Sequence, residues 1–248
     1  MISKKEGHRL IEFIRTNGYQ YGNLEGNTFL YKIIYCSEKV SLESCPVGLM
    51  DQINSFVDSG VFEKVDSLIY SKVKVIPFKD CWFFADSPTL SSTTEIMKEL
   101  YISNNDGYYS YIGGDGQILA SYLFSKFSKR RFLKGLDLFS GSGLIGLSLS
   151  RFVESYSAVE IDSRAYKWGK FNKKINQISN YTPYIGNMYD PVLDETPFDV
   201  ITANPPYSIF PTEFSEKNNI PGNEMAGDYG IEFTIKIMDG LENSLSDN

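Results

Sequence analysis

Residues 134–150 read Lys-Gly-Leu-Asp-Leu-Phe-Ser-Gly-Ser-Gly-Leu-Ile-Gly-Leu-Ser-Leu-Ser. An apolar run, a glycine-rich turn and a second apolar run follow one another, which predicts a strand, a tight turn and the start of a helix. Gly141, Gly143 and Gly146 stand in G-x-G-x-x-G spacing. Such glycines permit a tight turn, close approach of the backbone to a ligand, and close packing of helix on strand. The stretch therefore predicts an α/β fold with a ligand site after this strand.

Two more strand-like segments follow, and each carries a polar side chain at or near its end. The first, Tyr156–Asp162, carries Glu160 about 14 residues after the last glycine of the turn. A carboxylate there can accept both hydrogen bonds from a ribose diol, which predicts a nucleoside with free 2′ and 3′ hydroxyls. The next, at about 182–187, ends in Asn187 and Met188.

The fourth strand-like segment reads Phe198-Asp-Val-Ile-Thr-Ala-Asn-Pro-Pro-Tyr207 and stops at its prolines. Neither proline has an N–H, and each restricts the residue before it. The side-chain oxygen of Asn204 and the carbonyl of Pro205 can therefore accept hydrogen bonds from one planar NH or NH2 group, on which Tyr207 can stack. A strand end followed by a tight turn would also explain the tetrapeptide. The upstream motifs favour a binding site.

The glycine and acid spacing alone does not choose the cofactor, because dinucleotide enzymes share it. Asp137 precedes Gly141 by four residues, where a carboxylate would face a cation better than a pyrophosphate. Acidic and amide groups at four successive strand ends suit adenosine joined to a positively charged sulfonium. The sequence therefore predicts S-adenosylmethionine (SAM) as the cofactor, with NAD as the alternative.

With these four motifs in order, residues 108–245 resemble the class I SAM-dependent methyltransferases. They are most similar to the amino-methyltransferases with Asn-Pro-Pro-Tyr, which include the HemK/PrmC protein-glutamine methyltransferases and the N6-adenine enzymes. Residues 226–237 resemble the Gly-Gly-x-Asp-Gly-Leu-x-Phe stretch of HemK-like enzymes. The resemblance implies an α/β, Rossmann-like sheet with strand order 3-2-1-4. Phe139-Ser140 departs from the usual Gly/Ala-Thr/Cys pair, and Asn187 replaces a common Asp.

Transferred position by position, the resemblance implies a cofactor site next to an acceptor site. The residues expected around SAM are Asp137, Phe139, Gly141, Gly143, Glu160, Ile161, Asn187, Met188 and Asn204. Those expected to bind the methyl acceptor or position it for catalysis are Asn204, Pro205, Pro206 and Tyr207, with Tyr109 and Tyr111 from the tyrosine-rich segment before the first strand. From the residues themselves, Asp115 and Asp162 are each expected to cap a following helix.

Composition narrows the possible partners. The chain of 248 residues has a net charge of −7, which argues against a nucleic-acid partner. The basic run 126–134 is the one candidate nucleic-acid contact, although its charges can simply offset a helix C-terminus. Three cysteines without C-x-x-C spacing predict reduced thiols in a cytoplasmic protein. One histidine makes an ordinary zinc site or a Ser-His-Asp triad unlikely, and no segment predicts export or a membrane span.

The sequence predicts two domains. Residues 1–90 are expected to form an α+β domain that selects substrate or binds a partner, and residues 91–248 the methyltransferase domain. Within the first, the patterns predict helices at 5–16 and 46–62 and strands at 27–36, 68–75 and 81–84. Further strands of a class I sheet are apparently missing after about residue 245, which would leave the fourth strand as an open edge. An N-terminal strand, a homodimer partner or second chain, or a longer polypeptide would then complete the sheet.

The main functional prediction is an N-methyltransferase that acts on an amine or amide nitrogen of a small molecule, peptide or protein, without a metal. One alternative is a nucleic-acid methyltransferase for N6-adenine or rRNA, or one for a ribosomal protein. Another is a SAM-binding subunit that needs a partner chain for activity. A SAM-dependent cyclisation or aminocarboxypropyl transfer would use the same motifs.

Overall fold

The computed structural model describes residues 1–18, 28–87, 110–209, 226 and 229–246. The chain divides into two compact units, Met1–Ser103 and Asn104–Asn248. The boundary predicted at residues 90 and 91 and the side chain of Tyr109 lie outside the described residues.

The first unit combines helices with short antiparallel strands. Its elements are α1 Lys4–Thr16, α2 Thr28–Leu30 continued by a π-helical turn Tyr31–Tyr35, β1 Val40–Ser41, a 3-10 turn Leu42–Ser44, α3 Met50–Asp58, β2 Phe62–Val65, β3 Leu68–Ser71, β4 Val73–Phe78 and β5 Cys81–Asp86. The antiparallel strands β1, β3 and β2 form one sheet in that order, and β4 pairs with β5 as a hairpin.

The strand predicted at residues 27–36 is wrong, because the described part of this segment is helical. Its isoleucines and aromatic residues favour a strand by composition. However, the buried side chains are Phe29, Leu30, Ile33 and Ile34, and this spacing places them on one face of a helix. Periodicity was the better guide here than propensity.

The second unit is a parallel α/β sheet. Its elements are α4 Gly114–Phe127, β6 Phe132–Leu138, α5 Leu144–Leu149, a 3-10 turn Ser150–Phe152, β7 Val153–Glu160, α6 Ser163–Ile175, β8 Tyr181–Ile185, a 3-10 turn Asp190–Glu195, β9 Val200–Ala203 and α7 Glu232–Ser244. The strand order β8-β7-β6-β9 confirms the predicted order 3-2-1-4 and the Rossmann-like fold. None of the helices in the described ranges is long and apolar enough to cross a membrane.

The chain after α7 returns alongside the start of β9. Leu245 forms a parallel bridge with Phe198. The N–H of Phe198 donates to the carbonyl of Ser244 and the N–H of Ser246 donates to the carbonyl of Phe198, both at 2.8 Å. Elsewhere β9 pairs with β6 alone among the described residues. Because all four strands are parallel, their carboxyl ends meet at one edge, and this edge brings the predicted motifs together.

Candidate functional site

A cavity of about 850 Å³ opens at the carboxyl edge of the parallel sheet. Its volume lies within the range of roughly 300–1,000 Å³ that is typical of small-molecule sites. The predicted residues in its wall are Phe139, Gly141, Glu160, Ile161, Asn187, Met188, Asn204, Pro205, Pro206, Tyr207 and Tyr111. The structure therefore gathers most of the predicted cofactor and acceptor residues around one cavity.

The glycine-rich turn and the acid after it are tied together directly. Gly141 has a φ of +55°, and its N–H donates to Oε2 of Glu160 at 2.7 Å. The N–H of Asp162 donates to Oε1 at 2.8 Å. Burial raises the pKa of the Glu160 carboxyl, while these N–H groups lower it. Since a carboxylate offers about four lone-pair sites, Glu160 retains acceptor capacity for hydroxyl groups of a ligand.

Helix α6 supports the same turn from behind. The fully buried Asn172 donates from Nδ2 to the carbonyl of Ser142 at 2.8 Å. Gly169 of the same helix lies against the turn, since a Cβ added there would be in ordinary van der Waals contact, 3.5 Å, with the carbonyl oxygen of Gly141. Sequence reasoning missed Asn172, although a polar residue on the apolar face of a helix was a usable signal.

Two residues predicted to contact the cofactor, Asp137 and Gly143, do not line the cavity. Asp137 is buried behind the turn, where Oδ2 accepts from the N–H of Gly146 at 3.0 Å and Oδ1 accepts from the hydroxyl of Thr202 at 2.7 Å. Gly143 has a φ of +86°, and a Cβ there would lie 2.8 Å from the side chain of Leu147. Both residues shape the turn from outside the cavity.

The buried Asp137 makes stability depend on pH. Burial raises its pKa from the ordinary 3.8 to about 7, against the opposing effect of the Thr202 hydroxyl. The folded state therefore holds this proton more tightly than the unfolded state, so the associated stability is present below about pH 4 and lost as pH rises through about 7. Three pKa units correspond to on the order of 4 kcal/mol.

We expect Asp137→Asn to remove this dependence, because an amide does not titrate. Urea unfolding at about pH 5 and pH 8 measures it. The free energy of unfolding of the variant, relative to the wild type, should rise between these two pH values. A constant difference between the two proteins would contradict the assignment of this titration to Asp137.

The acceptor tetrapeptide follows β9 directly. Asn204 is half-buried, and its Nδ2 donates to Oδ2 of Asp115 at 3.2 Å. Tyr207 and Tyr111 stand at the mouth of the cavity, 64% and 52% exposed.

The prediction that Asp115 caps a helix is wrong, since the N-cap of α4 is Gly113 and no side chain caps it. The cap predicted for Asp162 is confirmed, because its Oδ1 accepts from the N–H of Ala165 at 2.7 Å.

The wall also contains strained and aromatic positions. Phe139 and Met188 have positive φ angles of 56° and 45°, which cost about 1–3 kcal/mol each and cluster at functional sites. The ring of Phe139 packs edge-on against Phe233 at a centroid distance of 5.1 Å. Phe233 lines the cavity, and sequence reasoning missed it as a site residue. It stands at the phenylalanine of the quoted 226–237 stretch, so the signal was available.

Charge at the cavity is one-sided. The described residues of its wall include three carboxylates, on Asp115, Glu160 and Asp162, and no lysine or arginine. Such a wall favours a ligand with a positive charge over a pyrophosphate. The basic run 126–134 lies around the start of β6, whereas the cavity lies past its end. The seven residues of that strand separate the two by about 20 Å.

Comparisons with known proteins show which families and enzymes the chain is similar to. Residues 99–213 match the family model described as methyltransferase small domain. The chain is 35% identical over 118 residues to a release factor glutamine methyltransferase of Thermodesulfovibrio yellowstonii, covering 44% of this chain and 42% of the relative. It is 33% identical over 123 residues to the corresponding enzyme of Lactococcus lactis, covering 47% and 44%. The chain thus spans less than half the length of these two curated relatives.

Among solved structures, a SAM-dependent methyltransferase from Agrobacterium tumefaciens superimposes with a TM-score of 0.49 at 13% identity. The superposition covers 75% of this chain and 51% of that protein. At this level of similarity the neighbour says nothing about the acceptor.

Proposed function

We propose that this chain, which carries the methyltransferase small domain of class I SAM-dependent enzymes of the HemK/PrmC type, methylates an amine or amide nitrogen of a peptide or protein. One observation carries the proposal. The tetrapeptide Asn204–Tyr207 lies in the wall of the same cavity as Glu160 and the glycine-rich turn. A nitrogen held by the tetrapeptide and a nucleoside held by Glu160 would share one cavity.

The cavity suits SAM in its hydrogen bonding and its charge. Glu160 is fixed by two backbone N–H groups and keeps acceptor capacity for a ribose diol. The carboxylates of the wall favour a cation. When bound, SAM would supply an electrophilic methyl group on its positively charged sulfur.

The tetrapeptide would act by positioning. Oδ1 of Asn204 and the carbonyl oxygen of Pro205 accept hydrogen bonds from the N–H groups of the methyl acceptor. These bonds direct the lone pair of the acceptor nitrogen toward the cofactor side of the cavity. Tyr207 packs on the plane of the acceptor group. Such alignment can contribute about 7–11 kcal/mol to the lowering of the barrier. The surplus proton leaves to water after transfer, so the site needs no strong base.

A peptide or protein acceptor is favoured over a nucleic acid. The names of the two relatives specify glutamine in a release factor, which is a side-chain amide. The described cavity wall offers no cation to a phosphate, and the basic run 126–134 lies at the opposite edge of the sheet. The release factor itself is not part of the proposal, because the first 98 residues lie outside the family match and can select another protein.

Methyl transfer from tritiated SAM tests the proposed function. The acceptors are glutamine-containing peptides, lysine-containing peptides and adenine-containing oligonucleotides, with release of S-adenosylhomocysteine as the second readout. We expect tritium in the peptides at a side-chain nitrogen. Transfer to oligonucleotides alone would overturn the proposal in favour of a nucleic-acid enzyme. SAM binding by calorimetry without transfer to any acceptor would favour a subunit that needs a partner.

Replacing Glu160 by alanine should weaken SAM binding by about 10- to 100-fold. This factor corresponds to losing hydrogen bonds to a charged group, about 1.5–3 kcal/mol. Isothermal titration calorimetry measures the affinity. Glu154→Ala is the matched control, because Glu154 lies on the same strand, is exposed and is absent from the cavity wall. Equal affinities for Glu160→Ala and the wild type would remove Glu160 from the cofactor site.

A further inference from the structure

Asp115 lies beside the acceptor tetrapeptide although the two are 89 residues apart in the sequence. It belongs to the first turn of α4 and is part of the cavity wall. Its Oδ2 accepts a hydrogen bond from Nδ2 of Asn204 at 3.2 Å. The family resemblance assigns no role to this carboxylate, and the cap expected from its position in the helix is not formed.

The start of α4 makes room for this carboxylate. A Cβ added at Gly113 would lie 2.2 Å from Oδ1 of Asp115, so a side chain at Gly113 would displace the carboxylate. The local sequence therefore leaves Asp115 to contact Asn204.

The contact determines which end of the Asn204 amide faces the acceptor. The oxygen and nitrogen of an asparagine amide are similar in size, and rotation about its last torsion is broad and nearly two-fold. A carboxylate accepts hydrogen bonds and cannot donate them, so only the NH2 end can face Asp115. The oxygen is then the end directed away from Asp115, as hydrogen bonding to an acceptor N–H requires.

We propose that Asp115 is a positioning residue for methyl transfer, which holds the Asn204 amide with its oxygen toward the acceptor nitrogen. This inference rests on the proposed function of Asn204 as the acceptor of substrate N–H bonds. Without the carboxylate, the amide can present its NH2 end to the substrate. That end cannot accept a hydrogen bond from the N–H of the methyl acceptor. Loss of Asp115 therefore lowers the fraction of enzyme in the productive arrangement, and it affects methyl transfer more strongly than cofactor binding.

Two substitutions separate positioning from a general structural role. Asp115→Ala removes the oxygen that accepts the hydrogen bond from Nδ2 of Asn204, whereas Asp115→Asn keeps a side-chain carbonyl that can accept the same bond. Asp239→Ala on α7 is the control, because Asp239 is exposed and absent from the cavity wall. With tritiated SAM and the methylated peptide from the panel, we expect kcat to fall about 10- to 100-fold in Asp115→Ala. The KM for SAM should change much less than kcat does, and Asp115→Asn should recover most of the rate.

The orientation of the Asn204 amide can also be measured by NMR without any methyl acceptor present. The side-chain amide signals of Asn204 in ¹⁵N-labelled protein, assigned by their loss in Asn204→Ala, should lie downfield in the wild type and move upfield in Asp115→Ala. Unchanged amide signals in Asp115→Ala, or equally slow transfer by Asp115→Asn and Asp115→Ala, would overturn the proposal. If the wild type methylates no peptide, the proposed function fails, and the amide signals alone then decide whether Asp115 orients Asn204.

Discussion

Replacing Asn204 by alanine is expected to slow methyl transfer by a factor of about 10² to 10³ while SAM affinity stays close to that of the wild type. The factor is that seen when one preorganised hydrogen-bonding group is removed from an active site. The variant loses the side-chain oxygen that accepts from the acceptor nitrogen, whereas Glu160 and the glycine-rich turn keep their mutual hydrogen bonds. Single-turnover transfer from tritiated SAM gives the rate, and calorimetry gives the affinity.

The matched control is Asn243→Ala, which removes an exposed asparagine of α7 that is absent from the cavity wall. It should transfer methyl groups at the wild-type rate. If the rate and the SAM affinity of Asn204→Ala fall by the same factor, Asn204 contributes to cofactor binding and the assignment to the acceptor is wrong.

Thr202→Val should lower the free energy of unfolding by about 2–4 kcal/mol. The buried Thr202 hydroxyl donates to Oδ1 of Asp137 at 2.7 Å and lies 2.9 Å from the hydroxyl of Tyr156. Since Thr202 gives its one proton to Asp137, Tyr156 donates to Thr202. Valine leaves both buried partners short of a hydrogen bond, and each such group costs about 1–3 kcal/mol.

Thr202→Ser separates the hydroxyl from the shape of the side chain. Serine keeps the hydrogen bonds and loses one methyl group, so it should cost about 1 kcal/mol. Urea unfolding of the three proteins at neutral pH measures the difference. Equal destabilisation by valine and serine would mean that packing, and not the Tyr156–Thr202–Asp137 chain, carries the effect.

The strands of the sheet and the position of the site could be predicted from local patterns in the sequence, whereas the order of the strands was implied by the family resemblance. Strand, glycine turn and helix succeed one another between residues 134 and 150, and parallel pairing brings the strand ends to one edge. The tetrapeptide at Asn204 could be placed for the same reason. Its prolines end β9 at the edge where the glycine-rich turn begins.

Two placements that differ from what the sequence suggests have another origin, since they depend on contacts between distant residues. Asp137 reads as a cavity residue from its spacing, yet burial and the hydroxyl of Thr202, 65 residues away, hold it behind the turn. Asp115 reads as a helix cap, yet its partner is Asn204, 89 residues away. No pattern within ten or twenty residues contains either contact.

The segment at residues 27–36 failed for another reason. Its residue types favour a strand, but four buried side chains with helical spacing outweigh that preference once they can pack in a core. The outcome agrees with the view that strand propensity reflects packing on a sheet more than the backbone itself.

The pairing of β9 with β6 gives the two halves of the cavity unequal resistance to local opening. The residues of the cofactor half follow β6 and β7, the two central strands of the sheet. The residues of the acceptor half follow β9, a strand of four residues that is the outermost strand on that side among the described elements. Amide hydrogens of β9 should therefore exchange with solvent sooner than those of β6. On warming, the protein would therefore lose methyl-transfer activity at a lower temperature than the one at which it releases its cofactor.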